Sequence, residues 1–224
     1  MKQDRREELK AKKQAYVQDE ILSSAVTLFA ARGFRAVTID DIASNLGYTK
    51  SVVYYYFRSK NEILWKVFSR IYDAYFEGIQ AVETEHLEPA DALARIIRAH
   101  AMHVMERKDW NAIYYRDESE LTDKQQKLIL QRKREYDAII ESAYQAGVDK
   151  GVFRSDVPTA VAVRGILGMC NWLYTWYKED GPLSAEEIAN HYVSLLMQGY
   201  VVPVKAHRAS GGRSSSKVVK AASR

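Results

Sequence analysis

The spacing of proline is the feature that most restricts what this chain can fold into. Its four prolines stand at positions 89, 158, 182 and 203 and leave long stretches rich in Ala, Leu, Glu, Lys, Arg and Gln, which all favour helix. Eleven glycines and four prolines make up under 7% of the 224 residues, against about 12% in average usage. Turns are therefore scarce. With 47% apolar residues available for a core, the sequence predicts an all-α protein.

Several classes of protein are excluded by residue content. The single cysteine, Cys170, forms no internal disulfide and cannot supply a cysteine cluster for zinc or iron–sulfur binding. The segment MKQDRREELKAKK has no apolar stretch behind its charges, and no run of about 18 apolar residues occurs. We therefore expect a cytoplasmic protein, neither secreted nor membrane-spanning. No nucleophile-elbow, zinc-protease, P-loop or dinucleotide-binding motif is present, so we expect no enzyme and no cofactor.

Charge is distributed unevenly along the chain. Residues 1–60 hold 11 basic and seven acidic side chains, residues 61–204 hold 16 and 22, and residues 205–224 hold six and none. Both ends are thus basic around an acidic middle. This asymmetry indicates either a polyanionic partner for one part of the chain or simply solvated basic ends.

Two short helices joined by a glycine turn are predicted near the amino end. Apolar residues from Val17 to Phe29 recur at three- and four-residue spacing and predict a helix that ends at Gly33. Thr38 starts the next helix and Gly47 stops it. Thr49 then caps a third helix, which carries three consecutive tyrosines, and a capping box at residues 59–62 opens a long fourth helix. This order describes a helix-turn-helix unit, whose second short helix enters the DNA major groove.

The exposed residues of this unit suit DNA. Hydroxyl groups and helix amino termini can meet phosphates, while a lysine or serine at the start of the reading helix can reach base edges. Successive helical residues point about 100° apart, so three consecutive tyrosines cannot all face one core. The residues that we expect to contact DNA are Thr38, Thr49, Lys50, Ser51, Tyr54, Tyr55, Tyr56 and Lys60.

The motif TIDDIASNLGYTKSVVYYYFRSKNEIL resembles the DNA-binding signature of the TetR family of bacterial transcriptional regulators, over about residues 17 to 70. The resemblance implies phosphate contacts by Thr38, Thr49, Tyr54, Tyr56 and Lys60, with Lys50, Ser51 and Tyr55 as base readers. Tyr56 stands where the family often has histidine. The resemblance also implies an all-helical homodimer that binds a near-palindromic operator and carries a carboxy-terminal effector domain.

These patterns divide the chain into a basic arm at 1–15, the helix-turn-helix domain at 16–60, a helical domain at 61–203 and a disordered basic tail at 204–224. The resemblance implies that the domain at 61–203 binds a ligand and forms the dimer. In the third segment, helices are predicted from Pro89, over 111–121, over 123–146 with Gly147 as the stop, from Pro158 to about 178, and from Ser184 to about 200.

The helix after Pro158 has two wide apolar faces. One face carries Gly165, Gly168, Trp172 and Trp176, and we weigh a ligand cavity there against plain core packing. The other face, which includes Val163, Ile166 and Cys170, could meet a dimer partner.

Two segments, YYRDESEL and WLYTWYKEDGPLSAEEI, resemble the effector domains of TetR-type repressors that respond to acyl-CoA thioesters, including the steroid-catabolism group. This likeness implies an acyl group among Tyr114, Trp172 and Trp176 beside Gly168, with Arg116 or Arg164 near the thioester or phosphates. The sequence leaves open a small aromatic or xenobiotic effector. It also leaves open an adaptor that binds DNA and a protein partner instead of a small ligand. His100, His103 and Glu106 have metal-compatible spacing, but core packing is the favoured interpretation and we expect no metal.

Overall fold

The computed structural model describes residues 2–83 and 85–202, and side chains at 5–82 and 85–202. The predicted tail at 204–224 lies outside the described residues. The helices are α1 (Lys2–Arg32), α2 (Ile39–Asn45), α3 (Lys50–Tyr56), α4 (Lys60–Glu83), α5 (Pro89–Glu106), α6 (Lys108–Asp117), α7 (Asp123–Asp149), α8 (Thr159–Asn171), α9 (Leu173–Trp176) and α10 (Ala185–Tyr200). One turn of 3₁₀ helix, Glu118–Glu120, follows α6.

The head consists of α1, α2, α3 and the first turns of α4. Its core is apolar and fully enclosed, with Phe29, Ile42, Val53 and Leu64 at no more than 1% exposure. Gly47 adopts a φ of +69° in the turn between α2 and α3, a left-handed conformation that a side chain would disfavour. The predicted helix-turn-helix is therefore confirmed.

The amino-terminal segment differs from its prediction. We expected an arm over 1–15 and a helix from residue 16, but α1 is continuous from Lys2 to Arg32. Residues 5–13 are all exposed, so α1 extends well past the part of the helix that packs in the head. The periodicity of buried residues revealed only that packed part, whereas the exposed turns follow from helix-favouring composition.

The larger domain is organised around α5. This helix packs against α4, α7, α8 and α10, and Leu93, Ile97 and Ala101 are completely buried along it. No helix among residues 2–83 and 85–202 combines the length and apolarity needed to cross a bilayer.

Helix α7 ends later than predicted because Gly147 is not its stop. The helix runs through Gly147 to Asp149, and Gly151 provides the left-handed residue at φ +71°. A Cβ on Gly147 would lie 2.1 Å from the ring of Phe153. Gly147 is thus required by close packing against Phe153. The helix predicted from Pro158 to about 178 is also interrupted, at Trp172, and continues as the short α9.

Candidate DNA-binding surface and effector cavity

The reading helix α3 presents a polar surface to solvent. Thr49, Lys50 and Ser51 are exposed, and Tyr54 and Tyr55 keep 46% and 69% of their surface in water. The opposite side of α3 is anchored by Val53, which is completely buried. The predicted base readers and two of the predicted phosphate contacts therefore share one accessible face.

The amino termini of the two short helices differ in how they are capped. Thr38 and Asp41 form a reciprocal capping box, in which Asp41 N–H donates to Thr38 Oγ1 at 3.1 Å and Thr38 N–H donates to the carboxylate at 2.7 Å. Donation by the Thr38 hydroxyl and amide lowers the pKa of Asp41 to about 2. Thr49 occupies the N-cap of α3 without a side-chain cap bond, so its hydroxyl is available to a phosphate.

Lys50 is paired within the head. Its ammonium donates to Asp40 at 2.9 Å, and this contact raises the pKa of the lysine. Both side chains are exposed, where such a pair contributes little to stability. Lys50 can therefore exchange Asp40 for a base or phosphate at small cost.

Tyr56 lies deeper than its two neighbours. It is half-buried against the core, and its ring meets that of Tyr55 edge-on at 5.0 Å between centroids. Tyr56 thus supports the exposed Tyr55 ring from behind.

The structure does not support the phosphate contact predicted for Lys60, because the ammonium of this lysine points into the head. Nζ donates to the carbonyls of Val37 at 2.6 Å and Phe34 at 2.7 Å, with a longer contact to Arg35 at 3.5 Å. It also lies 4.2 Å from the centroid of the Phe34 ring, and burial lowers its pKa. All three N–H donors are directed at the loop between α1 and α2, so Lys60 fixes this loop to α4.

A cavity of about 210 Å³ lies between α4, α5, α6, α7 and α8. The residues that line it are mostly aromatic and polar: Tyr72, Tyr75, His100, Tyr114, Tyr115, Lys133, Tyr136, Asp137, Leu167 and Asn171. Of the residues predicted to bind a ligand, Tyr114 is the one that lines this cavity. The other lining residues were missed because tyrosines at helical spacing are also typical of a core.

Hydrogen bonds fix the cavity walls. The hydroxyls of Tyr72 and Tyr114 lie 2.5 Å apart. His100 Nε2 meets Asn171 Oδ1 at 2.7 Å, which requires Nε2 to be the donor, and its Nδ1 then accepts from the Tyr136 hydroxyl at 2.8 Å. Burial lowers the pKa of His100 to about 4. The imidazole is therefore neutral at physiological pH.

Lys133 brings a positive charge to this aromatic cavity. Its Nζ donates to Glu118 at 2.6 Å and lies 5.1 Å from the centroid of the Tyr114 ring. The pKa of the nearby Asp137 is raised by burial and by the charge of Glu141, and the charges of Arg164 and Lys133 only partly offset this rise. Arg164 is exposed on α8, one helical turn from Leu167 in the cavity wall.

A second cavity of about 160 Å³ adjoins the first and shares Tyr75, His100 and Tyr136 with it. His103 is also in its wall, and the Nε2 of His103 is buried without a hydrogen-bond partner. Burial lowers the pKa of His103 to about 3. In this second cavity, the Nε2 of a neutral imidazole is thus available to hydrogen-bond a polar group.

The glycine–tryptophan face of α8 and α9 is exposed and does not line the cavity described above. Gly168 is exposed, and Trp172 and Trp176 keep 63% and 44% of their surface in water. The opposite face, represented by Ile166 and Cys170 at 0% exposure, is core and not the dimer surface considered above. The face considered for a dimer partner is therefore core, and the face considered for a cavity is exposed, since periodicity distinguishes two apolar faces without showing which one has a partner in the same chain.

Arg116 also lies away from the cavity. Its guanidinium donates to the carbonyls of Phe29 at 2.5 Å and Ala30 at 3.1 Å, and it pairs with Asp117 at 2.9 Å. These carbonyls belong to the last turn of α1, where a cation is favoured, and the Phe29 carbonyl also accepts from Gly33 N–H at 2.8 Å. Arg116 therefore joins the two domains and is not placed to contact an effector.

The metal-compatible trio on α5 is not assembled as a site. His100 already uses both ring nitrogens in hydrogen bonds. Across residues 2–83 and 85–202, no group of three or more His, Cys, Asp or Glu side chains is arranged to hold a metal ion.

A helix-turn-helix head with an exposed polar reading helix, joined to an α-helical domain with an aromatic cavity, defines a DNA-binding regulator with an effector-type domain. Residues 21–66 match the family model described as "Bacterial regulatory proteins, tetR family". Residues 86–200 match the one described as "Tetracyclin repressor-like, C-terminal domain". The chain belongs to the TetR family of bacterial transcriptional regulators, whose members bind DNA and are not enzymes.

Curated relatives and solved structures agree with this assignment. The chain is 30% identical over 183 residues to the HTH-type transcriptional repressor KstR2 of Mycolicibacterium smegmatis, which covers 81% of this chain and 89% of the relative. The TetR family regulator PfmR of Thermus thermophilus superposes with a TM-score of 0.74 and 30% identity, over 80% of this chain and 97% of PfmR. AibR, solved with isovaleryl coenzyme A and operator DNA, gives a TM-score of 0.73 and 26% identity over 80% and 97% of the two chains.

Proposed function

We propose that this TetR-family repressor works as a cytoplasmic homodimer on a near-palindromic operator and is released by a small acyl-CoA thioester. The observation that carries the proposal is the aromatic cavity of about 210 Å³ with Lys133 in its wall. An apolar cavity of about 150 Å³ can hold benzene. A short acyl chain or a single ring therefore suits the volume here, while the nucleotide part would remain outside.

The charges around the cavity fit a thioester with an anionic headgroup. Lys133 lies in the wall, and Arg164 is exposed one turn from Leu167. Either cation can pair with phosphate oxygens. The structure of AibR with isovaleryl coenzyme A, a short branched acyl thioester, supports the same ligand class.

Helix α6 offers a route from the cavity to the head. Tyr114 lines the cavity, and Arg116, two residues further on, holds the last turn of α1. Glu120, just beyond α6, accepts from Arg35 of the head at 2.7 Å. A ligand that displaces α6 would shift these contacts, and operator affinity would change by as much as the ligand prefers the shifted state.

The exposed apolar face of α8, α9 and α10 is the surface that we assign to dimerisation. Val161, Trp172, Trp176 and Leu195 are between 44% and 64% exposed on it. A Cβ on Gly168 would meet nothing within 4 Å, so a partner helix can approach α8 closely. A two-fold pair formed in this way would present two reading helices to successive major grooves.

The adaptor alternative is less well supported. A DNA-bound adaptor without a small ligand requires no internal cavity, whereas two adjoining cavities with polar lining are present. A tryptophan-bearing surface that contacts a second copy also accounts for the exposed Trp172 and Trp176 without another protein.

The test starts with selection of an operator from random-sequence duplexes, followed by fluorescence anisotropy of the bound duplex. We expect a dimer on a two-fold-symmetric sequence. Isovaleryl-CoA or another short acyl-CoA should weaken binding, whereas free coenzyme A and the free acids should have little effect. Equal operator affinity with every thioester tested would overturn the effector class, and failure to select any operator would overturn the assignment of the reading helix.

A further inference from the structure

In the exposed part of α1, basic and acidic residues lie on different faces of the helix. Successive residues of a helix are about 100° apart, which places all the described cations of this segment within an arc of about 160°. We call this surface the basic arc; its members are Arg5, Arg6, Lys10, Lys12 and Lys13, all exposed. Glu7 and Glu8 lie outside the arc. The segment therefore has one cationic side, although its net charge is modest.

The basic arc faces the same side of the head as the start of the reading helix. Glu20 falls at the angular centre of the arc when α1 is followed toward the head. Its carboxylate accepts a hydrogen bond from the Tyr48 hydroxyl at 2.7 Å. Tyr48 directly precedes Thr49 and Lys50, which begin the DNA-reading surface. The cationic side of α1 thus continues from this surface.

The arc also reaches beyond the head. Tyr16, on the same face as Glu20, is exposed, and Arg5 lies eleven residues before it. At 1.5 Å per residue, Arg5 is about 16 Å further along the helix axis. This length corresponds to about five phosphate steps of one DNA strand at 3.4 Å each.

We propose that the basic arc binds the phosphate backbone of the DNA that flanks the operator core. A duplex is the occupant that the geometry favours, because the arc is continuous with the surface assigned above to DNA binding and its charge is opposite to that of the phosphates. Lys12 is held by Glu8 at 2.6 Å, and the other four cations project from the rest of the arc. Backbone contacts of this kind position a protein without reading sequence. The inference uses the family's DNA binding and is independent of the effector.

The experiment compares the full-length protein with a variant that carries Arg5→Gln, Arg6→Gln, Lys10→Gln and Lys13→Gln. Glutamine keeps the helix propensity and removes the charge. Each protein is titrated with two duplexes, the selected operator core alone and the same core lengthened by about six base pairs of arbitrary sequence on each side, at several salt concentrations. We expect the longer duplex to bind the wild type at least tenfold more tightly, and the variant to lose this gain.

The salt dependence provides a second readout. The slope of log affinity against log salt falls by about 0.9 for each phosphate that the protein no longer neutralises, so the slope of the variant on the long duplex should be smaller by about 2 or more. A charge-matched control carries Lys124→Gln, Lys127→Gln, Arg134→Gln and Lys178→Gln, which replace exposed cations of the effector domain. This control should behave as the wild type does.

Three results would overturn the inference. They are an unchanged slope in the arc variant, an equal loss of affinity in the charge-matched control, and a loss of affinity confined to the core duplex. Binding of the wild type but not the arc variant to anionic phospholipid vesicles, with no difference on DNA, would assign the arc to a membrane surface instead. Because core binding is measured in the same titrations, a failed inference is distinguishable from a failed assignment of the reading helix.

Discussion

The guanidinium of Arg116 donates to the backbone carbonyl of Phe29 at 2.5 Å and thereby ties the effector domain to the last turn of α1. Tyr114, in the cavity wall, is two residues away on the same helix. A displacement of α6 at the cavity would therefore shift a charge-assisted hydrogen bond to the head.

Replacement of Arg116 by alanine should weaken the coupling between effector and operator. Coupling between two sites is typically about 1 to 3 kcal/mol. A saturating effector lowers operator affinity by a certain factor, and we expect this factor to be smaller in the variant by about threefold or more. The free energy of unfolding should fall by about 1 to 2 kcal/mol, because the hydrogen bonds are charge-assisted but partly exposed. Anisotropy titrations with and without effector measure the coupling.

The control for this prediction is Arg154→Ala, which removes an arginine paired with Asp156 at 2.5 Å, far along the chain from α6. It should leave the coupling at its wild-type value. An Arg116→Ala protein with intact coupling would show that the signal travels by another route.

Lys60→Met should destabilise the head without removing a phosphate contact. The substitution removes the ammonium donor from the carbonyls of Phe34 and Val37, at a cost of about 2 kcal/mol. Urea unfolding should show this loss, whereas the salt slope of operator binding should stay unchanged. Lys66→Met, at an exposed position of the same helix, should alter neither quantity. A reduced salt slope in the Lys60 variant alone would restore the phosphate contact expected from the sequence.

Acid should destabilise the protein through His100. Burial lowers the folded-state pKa of His100 from 6.5 to about 4, so the unfolded chain binds a proton first as the pH falls. The contribution of His100 to the free energy of unfolding is therefore complete above pH 6.5 and decreases as the pH falls to about 4. Between pH 7 and pH 5 the free energy of unfolding should fall by about 2 kcal/mol. Urea unfolding at each pH measures it.

A His100→Gln variant serves as the control for this titration. It should lose the part of the pH dependence that His100 contributes, although its stability at pH 7 is lower. His103, whose pKa is lowered to about 3, should add a similar dependence. An unchanged pH profile in His100→Gln would contradict the buried neutral imidazole.

Lys50 and Tyr54 should have separable roles on DNA. Lys50→Ala should change base preference at particular positions of the operator by about 1 to 3 kcal/mol, whereas Tyr54→Phe should weaken binding to every sequence to a similar extent. A competition assay with single-base operator variants measures both. Uniform weakening by Lys50→Ala would make this lysine a backbone contact.

Much of the fold could be predicted from local signals. Helices were predicted to start at Thr38 and Ser184, and both starts are present, each closed by a capping box with Asp41 or Glu187. Gly147 was misinterpreted because a glycine required by a packed ring looks, in sequence, like a helix stop. The ring of Phe153 that requires it belongs to a tertiary contact, which local patterns do not report.

The DNA-binding surface could be predicted from the sequence, whereas the cavity could not, because only the cavity depends on tertiary contacts. The reading helix is a single run of seven residues, so sequence periodicity was sufficient to separate the buried Val53 from the exposed residues. The cavity is formed by side chains from five helices. Nothing in the sequence around Tyr75 or Lys133 indicates that these residues line it. The exposed face of α8 and α9 was not recognised from the sequence because Trp172 and Trp176 are apolar without being buried in their own chain.

Filling the cavity provides the most direct test of the whole account. Leu167→Trp places an indole in the cavity wall, and Leu128→Trp makes the same change at an exposed position of α7. We expect both variants to bind the selected operator with wild-type affinity, and only Leu128→Trp to be released by the acyl-CoA that releases the wild type. Full release of the Leu167→Trp protein by the same acyl-CoA would contradict the assignment of this cavity to the effector.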